Sequence, residues 1–99
     1  MTLAAAPPSR GAEFVIEDLT TGVFASGFGR LGDGRSFSFH VHRSRLVVEV
    51  YRPRLVGEVP LPEDVVATAG RSLGDVDADD ARSLSAAVRD TVASAVPVR

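Results

Sequence analysis

The chain reads as an α+β domain: a four-stranded antiparallel β-meander with two C-terminal helices packed on one face. Three observations predict this. Residues 35–52, RSFSFHVHRSRLVVEVYR, alternate apolar and polar side chains, the period of half-buried antiparallel strands. Glycine turn signals, Thr20-Thr21-Gly22 and Gly32-Asp33-Gly34, punctuate the first half at short intervals, as hairpin connections do. From Pro60 onward the apolar spacing lengthens to three and four residues, the period of a helix face. Strands followed by helices give an α+β order and not the alternation of an α/β fold.

Each element has a local reason. Residues 1–12 are rich in Ala and Pro and carry no periodic apolar set, so they are expected to form a disordered tail ahead of a single domain over 13–99. Phe14 to Leu19 is expected to be the first strand and Val23 to Leu31 the second. The next two form the hairpin: Phe37, Phe39 and Val41, then Leu46, Val48 and Val50, face the core, with Arg43-Ser44 between them. Pro62 suits the first position of a helix and Glu63 and Asp64 its first turn. Val65, Val66, Ala69 and Leu73 then recur at helical spacing, with Gly74 as a stop. A second helix is expected after Val76, with Asp77 as its cap. Its apolar stripe is Ala81, Leu84, Val88, Val92 and Ala95, and Pro97 ends it. The expected core is Phe37, Phe39, Val41, Leu46, Val48, Val50, Val65, Leu73, Leu84, Val88 and Val92.

The register of the second strand decides what the other face of the sheet carries. A two-residue Asp33-Gly34 turn places Phe24, Phe28 and Arg30 beside Phe37 and Phe39. A three-residue Gly32-Asp33-Gly34 loop sends them to the opposite face and sets Gly27 and Gly29 against Phe39 and Phe37. The second arrangement keeps Arg30 out of the core and is preferred.

Composition narrows the function. In 99 residues there is no cysteine, so no disulfide framework, thiol nucleophile or cysteine zinc site. Lys, Asn, Gln and Trp are absent too, and all eleven basic residues are Arg; a GC-rich bacterial coding sequence accounts for that bias. The N-terminal stretch has no basic region ahead of its short apolar run, unlike a signal peptide, and the expected location is the cytoplasm. The net charge of −2 divides unevenly: residues 30–54 hold six Arg against two acids, and residues 55–99 four Arg against eight acids.

Several groups on the predicted polar face invite a chemical reading. His40 and His42 project to one side of a strand, as metal ligands do, with Glu49 diagonally across the hairpin. Gly34 ahead of His40-x-His42 resembles half of the first motif of the cupin metalloenzymes. The chain departs from that pattern: Glu49 comes too late, and there is neither a further His nor any Asn for the second motif. No metal or other cofactor is therefore expected. Ser36 and Ser38 lack the elbow and oxyanion donors of a nucleophile site, and Gly27-Phe28-Gly29 lacks the third glycine and helix of a dinucleotide loop. No catalytic residue is assigned, and the chain is expected to be non-enzymatic.

Two binding readings remain. The leading one is a protein-interaction module that self-associates through the open sheet face or an edge, with Phe24, Phe28, His40, His42, Val47, Glu49 and Tyr51 as its surface. The alternative is a nucleic-acid-binding hairpin, in which Arg43, Arg45, Arg52 and Arg54 contact phosphates, and a remote third is a metal-dependent enzyme built on His40, His42 and Glu49.

Overall fold

The computed structural model describes residues 14–55, 57 and 59–98. The proposed tail, residues 1–12, lies outside them. Six strands form one antiparallel sheet in chain order: β1 (Phe14–Thr20), β2 (Ser26–Leu31), β3 (Ser36–His42), β4 (Arg45–Tyr51), β5 (Val65–Ser72) and β6 (Val96–Pro97). One helix, α1 (Ala81–Ala93), packs on β4, β5 and β1. The α+β meander is as predicted, but with six strands instead of four and one helix instead of two.

The first predicted helix is the main correction. Pro62, Glu63 and Asp64 do start helically, but only for a single 3-10 turn, after which Val65–Ser72 runs as a strand along β4. The segment VVATAGRS contains Val65, Val66 and Thr68, which are β-branched and favour a pleated surface, and Gly70, which weakens a helix interior. Helical and strand patterns both fit this stretch. The decisive factor is pairing: without β5, the outer edge of β4, whose Leu46, Val48 and Val50 are in the core, would be bare. A bulge opposite Val50 and Tyr51 turns Val66 toward the core beside the buried Ala67.

The remaining helix starts later than predicted. Its N-cap is Asp80, whose carboxylate accepts hydrogen bonds from the Ser83 amide (3.2 Å) and hydroxyl (2.7 Å). Asp77 instead closes a turn by accepting from the Asp79 amide at 2.9 Å. Leu84, Ala87, Val88 and Thr91 face the sheet, and the Thr91 hydroxyl is satisfied by the Ala87 carbonyl at 2.7 Å. The helix ends at Ala93, before Pro97, which sits in β6 against Ala67.

The core is close to expectation. Phe37, Phe39, Val41, Leu46, Val48, Val50, Leu73, Leu84 and Val88 are buried, Val92 packs against them half-buried, and Val65 lies outside the cluster. Phe14 stacks on Phe37 with ring centroids 5.1 Å apart, and the Arg89 guanidinium covers the Phe14 ring at 5.5 Å. Arg89 thus shields an edge aromatic while its charge stays in water.

The three-residue register of β2 is the one observed. Gly27 pairs with Phe39 and Gly29 with Phe37, and the Leu31 amide donates to the Arg35 carbonyl at 2.8 Å to close the Gly32-Asp33-Gly34 loop. A β-carbon at Gly27 or Gly29 would lie 2.7 Å from the Phe39 or Phe37 ring, so the rings occupy the space the glycines leave. The strand begins later than predicted, at Ser26. Phe24 therefore lies in the β1–β2 turn, off the sheet face.

The β3–β4 connection holds Arg43 at φ +53° and Ser44 at φ +62°, a two-residue hairpin turn that Asn-Gly fills more cheaply. Replacing both with Asn-Gly is expected to raise stability by about 1 kcal/mol, seen as a higher midpoint in thermal unfolding.

Candidate functional site

The strand register sorts the chemistry-bearing residues. With Phe37, Phe39, Val41, Leu46, Val48 and Val50 under α1, their neighbours in sequence line the uncovered face. Across it run Phe28, Ser38 and Glu49 in one row, and Ser26, His40 and Val47 in the next. Phe28 is 51% exposed, and Val47 is half-buried. His40 and His42 point outward from β3, exposed.

Tyr51 is the exception on this face. It is only 8% exposed, because the chain beyond β4 returns past it. Tyr51, Phe28, Leu55, Val59 and Pro60 line a groove of about 510 Å³ there. The expectation of an exposed Tyr51 is thus corrected by a return of the chain that strand alternation does not report. Its hydroxyl lies 2.6 Å from the Ser38 hydroxyl and donates to the Glu49 carboxylate at 3.2 Å. Burial, first of all, raises the Tyr51 pKa above 10.0; the Ser38 hydrogen bond offsets part of this, and the nearby Glu49 charge adds to it. Because this is the only tyrosine and there is no tryptophan, an ultraviolet titration of the native protein reads it directly. The midpoint should lie above pH 10, and a midpoint at or below 10 would contradict the buried placement.

The diagonal placement of Glu49 relative to His40 is as read from the hairpin, since Ser38 faces Glu49 and His40 faces Val47. Among the described residues, no three of His, Cys, Asp and Glu come together in a way that could hold a metal ion.

The four arginines of the nucleic-acid reading fall in two places. Arg43 and Arg45 are at the β3–β4 turn, and Arg52 and Arg54 are at the other end of the seven-residue strand β4, roughly 20 Å away. Arg43, Arg45 and Arg54 are exposed, and the Arg45 guanidinium lies over Gly70 of β5. Arg52 already has a partner: its Nε donates to Asp64 Oδ1 at 2.6 Å. Glu17, which pairs with Arg30 at 2.7 Å, and Glu49 add negative charge to the same face.

The Arg52–Asp64 pair is structural. Asp64 is fully buried and also accepts from the Leu61 amide at 2.8 Å, which ties the β4–β5 connection together. The Leu61 hydrogen bond, followed by that of Arg52, holds the Asp64 pKa below its usual value, against the opposing effect of burial. The unfolded chain therefore binds a proton at a higher pH than the folded one. The pair's contribution is complete above roughly pH 4 and is lost as pH falls through the lowered folded-state value. In Asp64→Asn the protein should unfold at lower denaturant near neutral pH, and its deficit relative to wild type should shrink below roughly pH 4. A constant deficit across that range would contradict an ionised Asp64.

A second concave region escaped the sequence reading. It lies at the end of the sheet, measures about 700 Å³, and is lined by the Val23-Phe24 turn, the Val41–Ser44 corner and the 72–78 segment. Val23 and Phe24 are 75% and 77% exposed. An apolar pair directly after a turn glycine is the signal that could have marked it.

No protein-family model, curated protein or solved structure matches this chain. Among the described residues no helix is long and apolar enough to cross a membrane.

Proposed function

We propose that the chain is a small, non-enzymatic protein-interaction module that self-associates. The observation that carries this reading is the distribution of apolar surface. One helix covers one face of the sheet, the chain beyond β4 covers only the Tyr51 end of the other, and Val23, Phe24 and Phe28 stand at least half exposed at the sheet's end and centre. Large side chains rimmed by polar groups are the usual composition of an interface. Around Phe28 that rim is Ser38, Glu49 and the Glu17–Arg30 pair. For a chain of this size, a symmetric dimer is the commonest way to cover such groups.

Support for nucleic-acid binding is weaker, because Arg52 is engaged by Asp64 and the remaining arginines fall at opposite ends of β4. The proposal is tested by static light scattering across the micromolar range. A mass that rises toward twice the monomer's with concentration is expected; a constant monomer mass up to high micromolar concentration would sink it.

A further inference from the structure

The geometry points to the Val23-Phe24 end of the sheet, and not its open face, as the surface through which two copies of this chain pair. The inference rests on the self-association reading above and names its site.

A surface shared by a two-fold dimer must contain what it binds, since both copies present the same patch. This end does so in apolar shape. Val23 and Phe24 project from the turn, and beside them lies a groove of about 700 Å³ with the buried Val41 and Leu73 at its floor and the half-buried Val76 and Ala78 along it. The turn cannot close over its own groove, because its backbone is pinned. The Gly22 amide donates to Ala78 at 2.9 Å, the Ala25 amide to Gly22 at 3.1 Å, and the Val41 amide to Ala25 at 2.8 Å. Gly22 sits at φ +113°, a conformation that other residues rarely adopt. A second copy can cover what the first cannot.

The patch is also self-complementary in charge. His42 and Arg43 stand exposed on the hairpin corner, and among the described residues no acid pairs with Arg43. Asp75, Asp77 and Asp79 are exposed on the segment that lines the groove. A partner copy therefore brings acids for the cations and cations for the acids, which favours this pairing over non-specific contact.

The open face is the poorer dimer surface. Phe28 is less exposed than Phe24, the exposed Val59 near it belongs to the chain that returns across this face, and the polar groups around Phe28 already satisfy one another through the Glu17–Arg30 pair and the Ser38–Tyr51–Glu49 hydrogen bonds. Covering them would remove water from bonds that gain nothing in return.

Sedimentation equilibrium of four proteins tests this, with circular dichroism confirming that each is folded. Phe24→Glu should raise the dimer dissociation constant roughly 30-fold or more, the effect of losing an aromatic anchor. Arg43→Glu should raise it several-fold, and Phe28→Glu should leave it unchanged. Phe24→Ser serves in place of Phe24→Glu should the latter fail to fold. A dimer that survives loss of Phe24 but is dissociated by Phe28→Glu would overturn this site and leave the self-association reading standing. A wild-type protein that stays monomeric would overturn both.

Discussion

Gly29→Ala is expected to destabilise the domain by about 3 kcal/mol or more, a large share of what a domain of this size has. An added β-carbon would sit 2.1 Å from the Val15 carbonyl oxygen and 2.7 Å from Phe37 Cζ. Neither neighbour can yield cheaply. Val15 is fixed in β1 by the pairing of Val15 with Arg30, and Phe37 is fully buried with Phe14 stacked on it. Gly27→Ala meets the same obstacle, 2.1 Å from the Asp18 carbonyl and 2.7 Å from the Phe39 ring. Gly57→Ala is the control, because none of the described residues lies within 4 Å of its β-carbon, and it should change stability by less than about 0.5 kcal/mol. Urea unfolding of the three variants separates them. A Gly29→Ala midpoint equal to wild type would mean that Phe37 does not cover this glycine.

Val48→Asp should abolish folding altogether. Val48 is fully buried in the strand flanked by Phe39 on one side and Ala69 on the other. Around it is the continuous apolar cluster of Leu46, Val50, Leu84 and Val88. A carboxylate there has no cation to pair with, and burying it unpaired costs several kcal/mol, comparable with the whole stability of a small domain. Val47→Asp, one residue away on the uncovered face, should cost less than about 1 kcal/mol. The contrast between neighbours tests strand alternation itself. A cooperative, near wild-type melt of Val48→Asp would remove β4 from the core.

The hairpin is legible because period-two alternation is a local signal, and Phe37, Phe39, Val41 and then Leu46, Val48, Val50 carry it on either side of the Arg43-Ser44 turn. The register of β2 could be read from composition, since two rings on β3 need space and Gly27 and Gly29 provide it. The stretch from Val65 to Leu73 is ambiguous in sequence, because Val65, Val66, Ala69 and Leu73 suit a helix as well as Val65, Ala67 and Ala69 suit a strand. Pairing with β4 decides between them, and that is a contact made at a distance along the chain. The same non-locality hid the burial of Tyr51, which depends on the return of Leu55, Val59 and Pro60, and the Arg52–Asp64 pair, which joins two elements twelve residues apart. A second strand beginning at Val23 puts Phe24 on the face, whereas the strand's start at Ser26 leaves Phe24 in the turn.

The self-association account is tested most directly by amide chemical shifts recorded while the wild-type protein is diluted from millimolar to low micromolar concentration. Exchange between monomer and dimer perturbs the amides at the contact, whatever drives it. The account predicts progressive shifts at Gly22 to Ala25, at His42 to Ser44 and at Leu73 to Ala78, with Phe28, Ser38 and Glu49 unmoved. A spectrum that stays constant on dilution, at a mass that is monomeric throughout, would contradict it.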